Sequence, residues 1–322
     1  MGRRILKVLA LVLGAGVTRA DAQQAPRIPR VGFLAPQSRS LPLLDAFQRG
    51  LAELGYVEGR NIVVESRFAE GQYERFPELI SELVNLKVDV LAVTGAVTAR
   101  AAKKAVTDIP LVFTVVVDPV ADNVVQSLNR PGGNLTGVTT FDPQQATKQL
   151  ELMKRVIPKL KRVAILGDQG VSEALMKASE EQARTLGLEP QRLRVTGPNP
   201  DLEAAFGAFK QRNADALLVL EEPVLGVHAK TIAERAAAAR LPTVFPPSRA
   251  AAGGLISYGT SQTEGIRHMA AYVDKILKGA KPGELPVEAV KRYELIVNLK
   301  TAAAIGVTIP PDLLKQADRV TQ

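Results

Sequence analysis

The apolar positions of this chain follow two spacings in alternation from residue 31 onward. Residues 31–35, 88–93 and 111–117 are short, almost wholly apolar runs, a pattern typical of strands that are buried on both faces. Between such runs, apolar residues recur at helical spacing, as Phe47 and Leu51 do, which predicts amphipathic helices. Strands of this kind in alternation with helices predict a parallel sheet that is covered on both faces.

The alternation occurs twice along the chain, once before and once after a Pro-Gly-Gly-Asn turn at residues 131–134. Because the same pattern recurs, we predict two similar lobes. A chain of 322 residues is also long for one hydrophobic core. The predicted strands cover residues 31–35, 61–65, 88–93, 111–117, 135–141, 162–167, 190–195, 215–220 and 242–245. The predicted helices cover residues 43–54, 73–86, 96–106, 144–156, 172–186, 200–212 and 228–240, with Asn199 as the expected N-cap of the 200–212 helix.

The C-terminal part adds strands at residues 255–259 and 294–299 and a helix at residues 263–277. These late elements need a sheet to join, so the chain is expected to cross between the lobes more than once and to form a hinge. The predicted fold class is α/β, with two doubly wound parallel-sheet lobes joined by a multi-strand hinge. We predict that the first lobe holds residues 29–139 and 254–285, and the second residues 140–253 and 286–322.

The first 22 residues have the three parts of a secretory signal. Arg3, Arg4 and Lys7 give a positive start, a short apolar stretch runs to Val17, and small residues precede Gln23. The stretch is shorter than the roughly 20 residues that span a bilayer, which argues against the alternative of a membrane anchor. We therefore expect cleavage after residue 22 and a periplasmic location. With no cysteine in the chain, a lipoprotein anchor is excluded, as are disulfides.

Composition excludes several classes of function. After cleavage, 37 basic and 32 acidic side chains would remain, a formal charge of +5 instead of +8, and they are scattered along the chain. A nucleic-acid partner is not expected, because it would require a clustered basic face with aromatic residues. His228 and His268, the only two histidines, lack metal-ligand spacing. No P-loop, dinucleotide fingerprint or nucleophile elbow is present, so we expect no cofactor, no metal and no enzymatic activity.

Ligands of open parallel sheets bind beyond the carboxyl ends of the strands, and this rule selects candidate site residues. Thr94-Gly95-Ala96 leads directly into a helix whose free N–H groups would favour a carboxylate, although an ordinary strand-to-helix turn capped by threonine has the same sequence. The acidic candidates could neutralise a ligand ammonium or could be solvated loop acids. The positions selected in this way are Gln37, Ser38, Thr94, Gly95, Ala96, Asp118, Pro119, Asp168, Glu221 and Glu222.

Several longer motifs carry a family resemblance from about residue 29 to the C-terminus. They are F-x-x-G-L-x-x-L-G-Y-V-E-G-x-N at residues 47–61, D-P-V at 118–120, L-N-R-P-G-G-N-L-T-G-V-T at 128–139, G-G-L-I-S-Y-G at 253–259 and E-L-I-V-N-L-K-T-A at 294–302. In these motifs the chain resembles ABC transporter substrate-binding proteins related to the tryptophan-binding TrpX proteins. The resemblance implies a periplasmic-binding-protein fold with three inter-lobe crossings.

The resemblance also implies further ligand contacts, at Thr98, Thr139, Thr140 and Tyr258. Many relatives carry several serines after the first strand. This chain has Gln37 and Ser38 there, so the resemblance does not predict that it binds the aromatic amino acids known as ligands in that family. We predict a monomeric solute-binding protein that delivers a carboxylate-bearing or amino-acid-like small molecule to an ABC permease. The alternative is a ligand-sensing receptor of the same fold that signals to a membrane kinase or chemoreceptor.

Overall fold

The computed structural model describes residues 27–37, 43–140, 142 and 144–322. The expected signal segment and Ser38 lie outside these residues. The described residues form two sheets, of six and seven strands. The first series of elements comprises β1 (Arg30–Ala35), α1 (Leu43–Glu53), β2 (Val63–Phe68), α2 (Phe76–Asn85), β3 (Val90–Thr94), α3 (Ala96–Ala105), β4 (Leu111–Val116) and β5 (Leu135–Thr139).

The second series repeats this arrangement. It comprises α4 (Gln145–Val156), β6 (Arg162–Asp168), α5 (Glu173–Thr185), β7 (Glu189–Val195), α6 (Leu202–Gln211), β8 (Ala216–Val219), α7 (Pro223–Val227), α8 (Ala229–Ala238), β9 (Thr243–Phe245) and β10 (Ile256–Thr260). The C-terminal part adds α9 (Gln262–Leu277), β11 (Glu288–Ala289), β12 (Tyr293–Asn298), α10 (Leu299–Ile305), α11 (Pro311–Gln316) and β13 (Arg319–Thr321).

Both sheets have the same internal strand order. The first runs β2-β1-β3-β4-β5-β11, and the second runs β7-β6-β8-β9-β10-β12-β13. The order within each series is therefore 2-1-3-4-5, one of the two common doubly wound orders. All pairs in the first sheet are parallel, and in the second only β12 runs antiparallel to its neighbour β10. The predicted fold class, with two doubly wound lobes, is confirmed.

Each sheet is buried on both faces, as its apolar strands require. In the first lobe, Phe33 of β1 points to one face, where its ring lies 5.3 Å from that of Phe47 on α1. Leu34, the next residue, packs with Phe113 in a separate cluster on the other face. Leu166 and Ile165 of β6 divide in the same way between two clusters in the second lobe. The continuous apolar runs follow from this double coverage.

Among the described residues the chain passes three times between the lobes: between β5 and α4, between β10 and α9, and between β11 and β12. The last two passages run side by side, since the Ser261 N–H donates to the Arg292 carbonyl at 2.9 Å. Three crossings agree with the resemblance. α9, at 16 residues, packs against α1 of the first lobe, and no described helix is long and apolar enough to cross a membrane.

The crossings correct the predicted lobe boundaries. Residues 254–285 were assigned to the first lobe, but β10 lies in the second sheet, between β9 and β12. Residues from 286 onward were assigned to the second lobe, but β11 pairs with β5 of the first sheet. Periodicity shows that a segment is a strand, but it does not show which sheet edge the strand joins.

The start of α6 also differs from the prediction. Asp201, not Asn199, is the N-cap, and its side chain accepts a hydrogen bond from the Ala204 N–H at 2.9 Å. Both residue types are good N-caps, and the helix uses the one placed after the proline.

Candidate functional site

The switch points of the two sheets face each other. In doubly wound sheets the ligand crevice opens where the strand order reverses, which is between β1 and β3 in the first lobe and between β6 and β8 in the second. A cavity of about 20 Å³ lies between these loops, with room for little more than one water molecule. Its polar lining includes Gln37, Asp122, Ser172, Glu221 and Glu222, beside Gly95 and Ala96.

A second inter-lobe cavity, of about 270 Å³, adjoins the first and shares Glu221 with it. Asp118 comes from the first lobe, Asp142 lies beside the first crossing, and α4 and α5 form the remaining wall. Apolar groups of Ala146, Leu175 and other residues cover much of its surface. A few polar groups in a mainly apolar wall are typical of sites for small organic molecules.

The loop between β3 and α3 shapes the first-lobe side. Gly95 is the N-cap of α3 at φ +84°, with no side-chain cap, so the predicted alternative of a threonine cap does not apply. Thr94 is fully buried, and its hydroxyl donates to Gln37 Oε1 at 3.3 Å. Thr98 is also fully buried, and its hydroxyl has no hydrogen-bond partner. Thr94 therefore supports the loop, while Gly95 and Ala96 present its backbone to the small cavity.

The backbone of Val115, which lines the same small cavity, has φ +58°. This left-handed conformation is rare for a β-branched residue and costs on the order of 1–3 kcal/mol. It coincides with an irregularity in the pairing of β4 with β5 between Phe113 and Val116. The strain lies at the ligand-facing end of β4.

Four carboxyl groups meet at the lobe interface. Burial raises the pKa of Glu222 well above its usual range, and the neighbouring charges of Asp168, Asp122 and Glu221 raise it further. Burial likewise raises the pKa of Asp122, although the positive charge of Arg100, whose Nη1 lies 3.6 Å from Asp122 Oδ1, acts to lower it. The cleft therefore brings carboxyl groups together where burial disfavours their charged forms, and a cationic group on a ligand would favour their ionisation.

Asp168 belongs to the contact between the lobes, because its carboxylate is already saturated. It is fully buried and accepts hydrogen bonds from the Gly170 N–H at 2.6 Å, the Val224 N–H at 2.8 Å and the Tyr73 hydroxyl at 2.8 Å. Tyr73 lies in the first lobe, so this carboxylate joins the two lobes. Burial raises the pKa of Asp168 despite these bonds.

The other predicted site residues have mixed surroundings. Asp118 lines the larger cavity and also fixes its own turn by accepting from the Ala121 N–H at 2.9 Å. The Thr139 hydroxyl donates to the Val116 carbonyl at 2.6 Å. Tyr258 stacks on Tyr293 at 6.0 Å between ring centroids. Pro119, Thr139, Thr140 and Tyr258 line neither cavity, and Ser38 lies outside the described residues.

The sequence of this chain matches a known protein family over most of its length. The sequence pattern of the ABC transporter substrate binding proteins matches residues 38–321 of this chain. The chain belongs to this family. Members bind a substrate for a transporter, so the predicted family and the prediction that the chain is not an enzyme are both confirmed.

Individual relatives of this substrate-binding protein are moderately similar to it. A tyrosine-binding protein of Clostridioides difficile is 25% identical over 271 residues, which cover 82% of this chain and 77% of that protein. A conserved domain protein of Vibrio cholerae has 27% identity and a TM-score of 0.85, covering 92% of this chain and 100% of the other. An ABC domain of Streptococcus pneumoniae, solved in complex with L-Trp, has 26% identity and a TM-score of 0.82, covering 91% and 99%.

Sequence reasoning missed four side chains of this substrate-binding protein. Tyr73 and Arg100 reach across the lobe interface, and the Arg100 guanidinium donates to the Gly170 carbonyl at 3.3 Å. Arg249 and Gln262 are buried beside the hinge. Arg249 follows the predicted strand at residues 242–245 but is not among the residues that the strand-end rule selected. No sequence signal marked the other three. Within the described residues, no group of three or more acidic or histidine side chains could hold a metal ion.

Proposed function

We propose that this protein is an extracytoplasmic solute-binding protein that captures an amino-acid-like solute between its lobes and delivers it to an ABC permease. The observation that carries the proposal is the opposition of two sheet switch points across adjoining cavities that share Glu221. The names of two relatives support it, since one is a tyrosine-binding protein and the other is a complex with L-Trp.

The charges around the cavities give each end of such a solute a partner. An ammonium group would lie against Asp118 and Glu221, whose carboxylates border the larger cavity. A carboxylate would lie against the N–H groups that Gly95 and Ala96 present at the start of α3, beside Asp122 and Glu222, whose raised pKa values favour their neutral forms. We propose that the solute is contacted or supported by Gln37, Thr94, Glu222 and the other residues selected from the sequence. Asp168 is the exception, because its carboxylate already accepts three hydrogen bonds, one of them from Tyr73 of the other lobe.

A thermal-shift screen of the mature protein tests this function. The protein is refolded to remove bound solute and is then screened with amino acids, other carboxylates, sugars and nucleosides. A true ligand raises the melting temperature in proportion to RT ln(1 + [L]/Kd). If no class of solute produces a concentration-dependent rise, the proposed function is wrong.

Two substitutions then test the placement of the solute. Asp118→Asn keeps a side-chain oxygen for the turn but removes the charge, and Thr94→Val removes the hydroxyl at nearly constant volume. We expect each to weaken binding, with Asp118→Asn losing on the order of tenfold or more in Kd. Asp108→Asn, on an exposed turn, is the control for a lost surface charge. Unchanged affinity in both variants would contradict the placement.

Delivery to a permease requires a test in cells. Deletion of the gene should abolish uptake of the identified solute at low concentration, and the N-terminus of the periplasmic protein should begin at Gln23. We also propose that the protein acts as a monomer, which size-exclusion chromatography with light scattering would test. Normal uptake together with loss of a transcriptional or motility response would instead favour the sensory receptor.

A further inference from the structure

The two cavities of the cleft differ greatly in volume. The small one, at the switch points, measures about 20 Å³, and the larger one beside it measures about 270 Å³. The first has room for one water molecule, whereas a dry cavity of about 150 Å³ is enough for a benzene ring. A solute of more than a few atoms therefore places most of its volume in the larger cavity.

Two neighbouring helices, α4 and α5, form the main wall of the larger cavity. The lining positions of α5 recur at helical spacing, so they belong to one face of that helix, and those of α4 lie one turn apart. They include Leu175, Ala178, Ser179 and Gln182 on α5, and Ala146 and Gln149 on α4.

Three polar side chains of this wall are hydrogen-bonded within the protein. The Ser179 hydroxyl donates to a backbone carbonyl one turn earlier in α5 at 2.9 Å, and the Gln149 amide donates to the Tyr258 carbonyl at 2.7 Å. Gln182 Oε1 accepts from the Thr147 N–H at 3.0 Å. Each bond uses part of the hydrogen-bonding capacity of its side chain, so the wall selects its occupant mainly by shape and apolar contact.

Two alanines set the width of this space. Ala146 and Ala178 both line the cavity, and both are half-buried. A longer side chain at either position would extend into the volume that the solute occupies. α5 cannot readily move away to make room, because Met176 and Ala183 on the same helix are fully buried in the core of the second lobe.

We propose that Ala146 and Ala178 are specificity-determining residues, which admit a solute with one bulky apolar side group and set the largest group that is accepted. The side group lies between α4 and α5, and the polar end of the solute lies near Glu221, which lines both cavities. This inference rests on the proposed function, since it names the solutes that the same site accepts.

The experiment measures binding of L-alanine, L-leucine, L-phenylalanine and L-tryptophan by titration calorimetry. It compares wild type with Ala178→Leu, which adds three carbon atoms at the cavity wall, and with Ala204→Leu. Ala204 is exposed on α6, so its variant makes the same change away from the cavity.

We expect wild type and Ala204→Leu to bind these amino acids more tightly as the apolar side group grows. Ala178→Leu should bind L-phenylalanine and L-tryptophan on the order of tenfold or more weakly, because the added atoms compete for the same space, while L-leucine binding changes less. Ala146→Leu should shift the selectivity in the same direction, and it replaces Ala178→Leu if that variant does not fold.

Fluorescence gives a second readout, which reports the surroundings of the side group. The chain contains no tryptophan, so emission excited where tyrosine does not absorb comes only from added L-tryptophan. Binding to wild type should shift this emission to the blue, because the indole ring leaves water. With Ala178→Leu the same shift should need on the order of tenfold more protein.

Wild-type affinity that does not depend on the size of the side group, or an equal loss for every amino acid in Ala178→Leu, would overturn the inference. If the solute screen selects another class with apolar groups, its small and large members replace the amino acids. Wild type that binds only sugars or other solutes without an apolar side group would overturn the inference but leave solute capture intact. Failure of every solute with wild type would instead refute the proposed function itself.

Discussion

The Tyr73 hydroxyl of the first lobe donates a hydrogen bond of 2.8 Å to Asp168 Oδ2 of the second. Asp168 ends β6, and its carboxylate also holds the N–H groups of Gly170 and Val224 within its own lobe. Burial raises the pKa of Tyr73, and the Asp168 charge raises it further, so the phenol remains a donor. The lobes are thus joined directly by side chains of the protein, in addition to any solute that lies between them.

Tyr73→Phe should weaken solute binding without altering a cavity wall. The variant leaves a buried carboxylate with one donor fewer, and hydrogen bonds to charged groups contribute about 1.5–3 kcal/mol. Closure would become less favourable by a similar amount, so the apparent Kd should rise on the order of tenfold or more. Titration calorimetry measures the change in Kd, and small-angle scattering measures the closed fraction.

Tyr56→Phe is the matched control for this substitution. The Tyr56 hydroxyl donates to Asp274 Oδ1 at 2.9 Å, a nearly identical bond, but α9 places Asp274 in the first lobe together with Tyr56. Tyr56→Phe should lower stability and leave Kd unchanged. If both variants change Kd equally, the Tyr73 bond has no special role in closure.

Gly170→Ala should hinder closure sterically. A Cβ at Gly170 would lie 2.7 Å from Val97 Cγ2 of the first lobe and 3.0 Å from Asp168 Oδ1, so the lobes would have to separate. We expect an open conformation in scattering that excess ligand does not fully close. Gly207→Ala, within α6, meets no atom within 4 Å and should instead stabilise the protein by about 1 kcal/mol through helix propensity. Normal ligand-induced closure of Gly170→Ala would contradict the packing argument.

Glu222→Gln should reduce the pH dependence of stability. Because the pKa of Glu222 is raised by burial, the folded protein holds this proton more tightly than the unfolded chain does. Its contribution to stability is therefore fully present below the ordinary value of 4.5 and is lost as pH rises through the raised folded pKa. Glutamine cannot ionise, so the variant should be more stable than wild type at neutral pH, by on the order of 1 kcal/mol.

Urea unfolding between pH 4.5 and 8 measures this effect. Burial alone would raise the pKa of Asp215, but its hydrogen bonds with Arg162 and Lys161 lower it overall. Asp215 therefore loses its stabilising contribution only in the acid range, which this window avoids. Glu189→Gln, on the exposed start of β7, should follow wild type throughout. A slope in Glu222→Gln equal to that of wild type would show that this carboxyl does not set the pH dependence.

Val115→Gly should cost less stability than Val112→Gly in the same strand. Both side chains are buried, with exposed fractions of 6% and 0%, but only Val115 has the left-handed backbone that glycine adopts freely. Relief of that strain should offset about 1–2 kcal/mol of the loss. Equal free energies of unfolding for the two variants in urea would show that β4 is not strained there.

Local pattern predicted most of the elements of this protein. β1, β4 and β6 were placed to within a residue or two, because a strand buried on both faces is almost wholly apolar and its apolar run marks its extent. The strand-end rule also brought Gln37, Gly95 and Glu221 to one cavity, since the 2-1-3-4-5 order directs those loops to the switch points. The number of inter-lobe crossings, three, was predicted from the family resemblance.

The partners of individual side chains could not be predicted. Asp168 met the same sequence criterion as Glu221, yet its carboxylate accepts from the neighbouring Gly170 N–H and, from distant segments, from Tyr73 and the Val224 N–H. Arg249 has no special sequence context, and only its burial against Gly226 and the absence of an acceptor distinguish it. Contacts of this kind join segments far apart in the chain, which periodicity cannot relate.

The sequence by itself thus determined the repeated βα series, the double burial of the sheets and the loops that meet at the cleft, because each follows from local spacing. The tertiary structure decided that β10 joins the second sheet and β11 the first, that Asp168 joins the lobes, and that Arg249 is buried against Gly226. The physical reason is that sheet-edge choice and hydrogen-bond saturation depend on which segments approach in space, and that is settled only when the two lobes pack.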